Sequence, residues 1–184
     1  MAIQGKTDID QLLAKSLKEI AVRRPVEKIT IKEITDKAGV IRPTFYNHFQ
    51  DKFELIEWII RTELLEPVEP LIRNDMIIEA MVLLFTNIEK DKAFYSQLVK
   101  MEGPVKFHDI AKKCGREVLL ELIQNESSGR VSKHKWLTPE VISSYYAQSM
   151  CFATEEWISM GMTISPREMA EAYQYMLTRS LTDI

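Results

Sequence analysis

Cysteine, glycine and proline are all scarce in this 184-residue chain. Its two cysteines, Cys114 and Cys151, are expected to be reduced thiols of a cytoplasmic protein, a compartment that disfavours structural disulfides. Glycines and prolines fall mostly at the edges of periodic segments, so long regular elements run between them. No apolar run approaches the roughly 20 residues of a membrane span, and the opening MAIQGKTDID lacks the apolar core of a signal peptide. No membrane partner is therefore expected. Positive charge is not in excess either: 24 Lys/Arg stand against 27 Asp/Glu. A nucleic-acid site must then be a local patch and not a global field. There is no Gly-rich phosphate loop, no nucleophile elbow and no cluster with metal-ligand spacing. Catalytic residues, cofactor and metal are all expected to be absent.

What is present is helical periodicity from end to end, and the chain reads as all-α. Thr7 is placed to cap a first helix in which Ile9, Leu12, Leu13, Leu17 and Ile20 recur at helical spacing, stopping before Pro25. Thr30 with Glu33 makes a capping box for a second helix, which Gly39 ends. Pro43 suits the first turn of a third, and Asp51 caps a fourth that carries Leu55, Ile56, Trp58 and Ile59. After Pro67 and Pro70 the helical patterns run from about 75 to 89, 92 to 101, 107 to 124, 139 to 160 and 166 to 181. The stretch from Asn125 to Leu137, with its Ser-Ser-Gly, is expected to be a mobile loop. Residues 1–55 hold ten Lys/Arg against eight Asp/Glu, whereas the remainder holds fourteen against nineteen. A mildly basic head on an acidic body fits nucleic acid bound at one end.

The segment GVIRPTFYNHF, residues 39–49, carries the chemistry. Phe45 and Phe49 are four apart, so a helix points both inward. Thr30 to Phe49 thus has the layout of a helix-turn-helix, held by Ile34, Ala38, Val40, Phe45 and Phe49. The outer face of its second helix is free to enter a major groove. There Arg42 reads guanine, Asn47 pairs with adenine and the Thr44 methyl meets thymine. Tyr46, His48 and Lys52 are expected to contact phosphates, which position the protein without reading sequence. Thr30 and Lys32 lie at a helix N-terminus, where free N–H groups and the helix dipole attract a phosphate. The competing reading is an exposed amphipathic helix with no partner.

These residues closely resemble the DNA-binding signature of TetR-family transcriptional regulators. The resemblance is carried by Thr30-Ile31-Lys32-Glu33-Ile34, Gly39-Val40, Thr44 through Phe49, and Asp51-Lys52. It implies a nine-helix homodimer with an N-terminal helix-turn-helix head, residues 1–52, and a C-terminal effector-binding and dimerisation body, residues 53–184. By position, Thr44, Tyr46, His48 and Lys52 match family DNA contacts, while Arg42 and Pro43 occupy the variable specificity positions. One residue departs from the pattern. Position 41 is Ile, where the family often has a capping Ser or Thr; losing a cap costs about 0.5–2 kcal/mol. Ile56-Glu57-Trp58-Ile59, Ala93-Phe94-Tyr95 and Glu156-Trp157-Ile158 are similar to the regulators of dihydroxyacetone-kinase operons, some of which activate.

In the body, apolar residues of the segment 139–160 spread over more than one stripe, and Met169, Tyr173, Met176 and Leu177 follow in the next helix. A helix on a monomer surface needs one stripe, so the surplus suggests a homodimer interface. Met101, Phe107, Ile110, Cys114, Tyr146 and Met150 are candidates to line an effector cavity, with ordinary core as the alternative for each. His108 and Cys114 are six apart, which puts them on different sides of a helix and closes no ligand set. The favoured function is a sequence-specific repressor released from double-stranded operator DNA by a small-molecule effector. The alternatives are an activator or a regulator controlled by a partner protein and, further off, a small helical thiol enzyme.

Overall fold

In the computed structural model, which describes residues 2–126, 134–180 and 182, every regular element is helical, and no strand occurs among those residues. The elements are α1 (Ala2–Ala21), a 3-10 turn (Val26–Lys28), α2 (Ile31–Ala38), α3 (Arg42–Tyr46) and α4 (Lys52–Ile59). A π-helical segment (Ile60–Leu65) continues α4 without a break. Then follow α5 (Glu69–Arg73), α6 (Ile77–Lys90), α7 (Lys92–Leu98), α8 (Phe107–Glu126), α9 (Pro139–Ser159) and α10 (Pro166–Thr178). The five-residue α5 lies in the stretch the two prolines mark as a break, and it raises the count above the nine that the resemblance implies. The expected Ser-Ser-Gly loop lies, for residues 127–133, outside the described residues. None of the helices described is long and apolar enough to cross a membrane.

The local signals act where their chemistry requires. Thr30 Oγ1 accepts from the Glu33 amide at 3.3 Å while the Glu33 carboxylate takes the Thr30 amide at 2.9 Å, completing the capping box of α2. Gly39 adopts φ 71°, and the amide of Val40 then closes on the Thr35 carbonyl at 3.0 Å. Asp51 accepts from the amides of Phe53 and Glu54 at the start of α4. Ile41 stands at the N-cap of α3 in extended conformation and offers no side-chain cap. Thr7 does not start the helix: α1 begins at Ala2, no proline interrupts residues 2–6, and the helix runs through Gly5. The same helix contributes Leu13 and Leu17, fully buried with Ile34, Phe45, Leu55 and Ile56 in the head core. Each such side chain stabilises by about 1.5–3 kcal/mol.

Body packing follows side-chain size. Gly115 of α8 faces Ala147 of α9, where an added Cβ would lie 3.8 Å from the alanine methyl, so these two helices run close together. By contrast α10 packs along α6, and space remains between the α8–α9 layer and the α6–α10 layer.

Candidate nucleic-acid interface and effector cavity

The helix-turn-helix presents α3 with its anchors inside and a mixed polar face outside. Phe45 and Phe49 are buried, their ring centroids 5.8 Å apart, and Trp58 of α4 meets Phe49 edge-on at 6.2 Å. Arg42, Pro43 and Asn47 are exposed, as is Tyr46 at 51%; Thr44 is half-buried. Arg42 reaches the Tyr46 hydroxyl at 3.4 Å, so the two form one outward cluster. Thr30 and Lys32 are exposed at the start of α2, where Lys32 stands 3.6 Å from Asp36. That helix start already holds a carboxylate. Hydrogen bonds from the Thr30 amide and hydroxyl, with Arg24 beside it, hold the Glu33 carboxyl below the usual range.

Two residues expected at phosphates are turned inward. His48 Nδ1 lies 2.6 Å from Asp10 of α1, and both side chains are 10% exposed. Lys52 donates to the carbonyl oxygens of Val26, Glu27 and Ile29 at 2.7–2.8 Å. Burial holds its pKa below the ordinary lysine value. Those three carbonyls belong to the 3-10 turn and the residue after it; the Val26 carbonyl also takes the Ile29 amide at 3.1 Å. Sequence reasoning recognised the motif Asp-Lys but had no signal for this turn, since neither Val26 nor Ile29 announces where its carbonyl points.

In the body, a cavity of about 520 Å³ lies between the two layers. Its wall draws on Ile60, Leu64 and Leu65 of the π segment, on Met81 and Leu84 of α6, on Ala111, Gly115 and Val118 of α8, on Met150 and Thr154 of α9, and on Tyr173 of α10. Of the residues expected there, Phe107, Tyr146 and Met150 do line it. Met101 instead lines a separate polar hollow, and Ile110 and Cys114 are buried among the core residues away from the cavity. The helical period explains the miss: Ala111, Gly115 and Val118 share the inward face of α8, whereas Ile110 and Cys114 sit a step round the helix. Burial pushes the thiol of Cys114 up to about 11 and that of Cys151 up to about 12. Both are therefore protonated at neutral pH, the opposite of what a thiol nucleophile requires.

Above the cavity the head and body are joined by an ion triad. Lys18 of α1 meets Glu63 of the π segment and Asp91 at the start of α7, each at 2.8 Å. Burial lowers the Lys18 pKa, but hydrogen bonds to Asp91 and Glu63 outweigh it and hold the pKa above its ordinary value. One face of the π segment thus lines the cavity while the other grips α1.

Comparison with known proteins agrees with this architecture. Residues 14–59 match the model of bacterial regulatory proteins of the tetR family, and residues 75–179 match a transcriptional regulator C-terminal region. A relative, the HTH-type dhaKLM operon transcriptional activator DhaS of Lactococcus lactis subsp. lactis (strain IL1403), is 23% identical over 156 residues, 84% of this chain and 81% of that one. Among solved structures, the dihydroxyacetone kinase operon activator DhaS superposes with a TM-score of 0.64 at 21% identity, covering 92% of this chain and 93% of that one. NalD of Pseudomonas aeruginosa, the secondary repressor of the MexAB-OprM multidrug efflux pump, gives 0.62 at 19% identity, covering 94% and 96%. Regulators of the family described by these models bind operator DNA and typically act as dimers with small-molecule effectors. With both the head and more than half of the chain matched, the protein belongs to the TetR family of bacterial transcriptional regulators.

Proposed function

We propose that the protein is a cytoplasmic homodimeric repressor that leaves its operator when a small molecule fills the body cavity. The observation that carries this reading is the double role of the π segment: Ile60, Leu64 and Leu65 line the cavity, and Glu63 between them holds Lys18 of α1. A ligand that displaces this segment moves α1, whose Asp10 meets His48 just past α3. π segments inside α-helices are frequent at functional sites. An effector that binds the displaced form better shifts the dimer off DNA by that difference in affinity alone. The DNA-binding head is assigned to 1–52 and the body to 53–184, joined through α4, whose Leu55 and Ile56 pack in the head core.

In this reading Arg42 and Asn47 read bases, Thr44 meets a thymine methyl, and Tyr46 contacts a phosphate; Pro43 shapes the start of α3, and Thr30 and Lys32 flank a second phosphate. His48 and Lys52 position α3 from behind. Operator DNA from upstream of the gene, titrated in a gel shift, tests it. Arg42→Ala and Asn47→Ala are each expected to cost about 1–3 kcal/mol on the preferred site and to relax preference at one base pair. Uniform weakening across all single-base operator variants would remove both residues from base reading.

The dimer is assigned to α9 and α10. Tyr145 and Phe152 of α9 and Met160 just past its end are 62–70% exposed, and Tyr175 and Met176 of α10 are exposed as well. Large apolar side chains at such spacing suit a self-complementary two-fold interface. Sedimentation at micromolar concentration is expected to report about twice the 21.4 kDa chain mass, and Phe152→Asp to return the single-chain mass. A wild-type monomer that still binds a palindromic site tightly would sink the two-fold arrangement. The similarity to DhaS favours a second reading, an activator. A reporter fused to the operator distinguishes the two, since deleting the regulator raises expression under a repressor and lowers it under an activator.

A further inference from the structure

We infer that the cavity takes an organic cation, an apolar body ending in a protonated amine set against Glu155. This rests on the reading of that cavity as the effector site. Among the described lining residues, Glu155 is the one that carries a formal charge. Its Oε2 is held 2.9 Å from His108 Nδ1, and the second imidazole nitrogen meets the Gln148 side chain. The carboxylate is thereby fixed in position, while no hydrogen bond to Oε1 is formed by the described residues. Three aromatic residues, Phe107, Tyr146 and Tyr173, line the same cavity, and aromatic rings attract cations.

Charge beyond the wall has the same sign. Phe107 and Glu155 also border the polar hollow, where Glu102 and Glu156 join Glu155 and outnumber Lys106. An anionic head would meet a like charge across low-dielectric walls. A neutral head would gain one ordinary hydrogen bond. An ammonium gains a charge-assisted hydrogen bond in a setting poor in competing water.

The test is calorimetric titration of the full chain with three probes of equal chain length, decylamine, decanol and decanoate, each kept below its micelle concentration. Wild-type protein is expected to bind decylamine about tenfold or more tightly than either other probe. Glu155→Gln should bring decylamine to within about twofold of decanol. Ala111→Trp and Leu84→Trp, which fill the cavity, should weaken all three, with circular dichroism selecting the variants that fold. Tighter binding of decanoate or decanol, no binding of decylamine, or a preference that survives Glu155→Gln would overturn the cation assignment. Should the folded filled variants bind all three probes like wild type, the cavity itself is not the binding site, and the underlying reading fails separately.

Discussion

Replacing Phe45 by alanine is expected to destabilise the head by about 3–5 kcal/mol and to abolish operator binding. Phe45 is fully buried, touches Phe49 and Tyr46, and is the one buried residue of a five-residue helix that packs on α2. So short a helix has no independent stability, because its hydrogen bonds barely repay nucleation. Its position is therefore set by what its apolar side chains fill. The void left by the substitution cannot collapse without drawing in the polar outer face of α3. Trp58 reports locally through Phe49, so its fluorescence should change in a transition separate from that of Trp157, which lies in the body against Phe85. A loss below about 1 kcal/mol, or operator affinity equal to wild type, would show that α3 is seated by other contacts.

Lys52→Met is expected to cost about 2–4 kcal/mol, most of it in the head. Methionine keeps the apolar stem, so the substitution isolates the ammonium. Three carbonyls then lose a charged donor at once, and the 3-10 turn that spaces α1 from α2 loosens. The fall in melting temperature should be roughly 4–16 °C for a chain of this size. DNA affinity should drop only as far as the head unfolds, with the slope of affinity against salt unchanged. The opposite pattern, full stability with a salt slope reduced by about one unit, would return Lys52 to the phosphate backbone.

The difference between the two residues shows where sequence reading succeeds. Phe45 and Phe49 were legible as inward-facing because a four-residue spacing has one geometric meaning on a helix. Lys52 was legible as part of a motif, yet its partners lie 23 to 26 positions earlier in the chain, in a turn with no side-chain signature. His48 presents the same case across 38 positions, its partner Asp10 being one of many surface-type residues in α1. Glu155 was missed for a related reason. A glutamate in a long amphipathic helix ordinarily faces water, and nothing local marks the one that opens onto a cavity.

The sequence by itself determined the helix count to within one short element, the caps at Thr30 and Asp51, the left-handed glycine at 39 and the outward face of Arg42, Tyr46 and Asn47. These are consequences of neighbouring residues: the period of apolar side chains, the reach of a hydroxyl or carboxylate to a nearby amide, and the backbone freedom of glycine. Only the tertiary structure decided that Lys52 turns onto the carbonyls of residues 26, 27 and 29 and His48 onto Asp10, that Gly115 and Ala111 line the cavity while Cys114 does not, and that a π segment joins cavity to head. Each of these depends on which surfaces distant helices bring together.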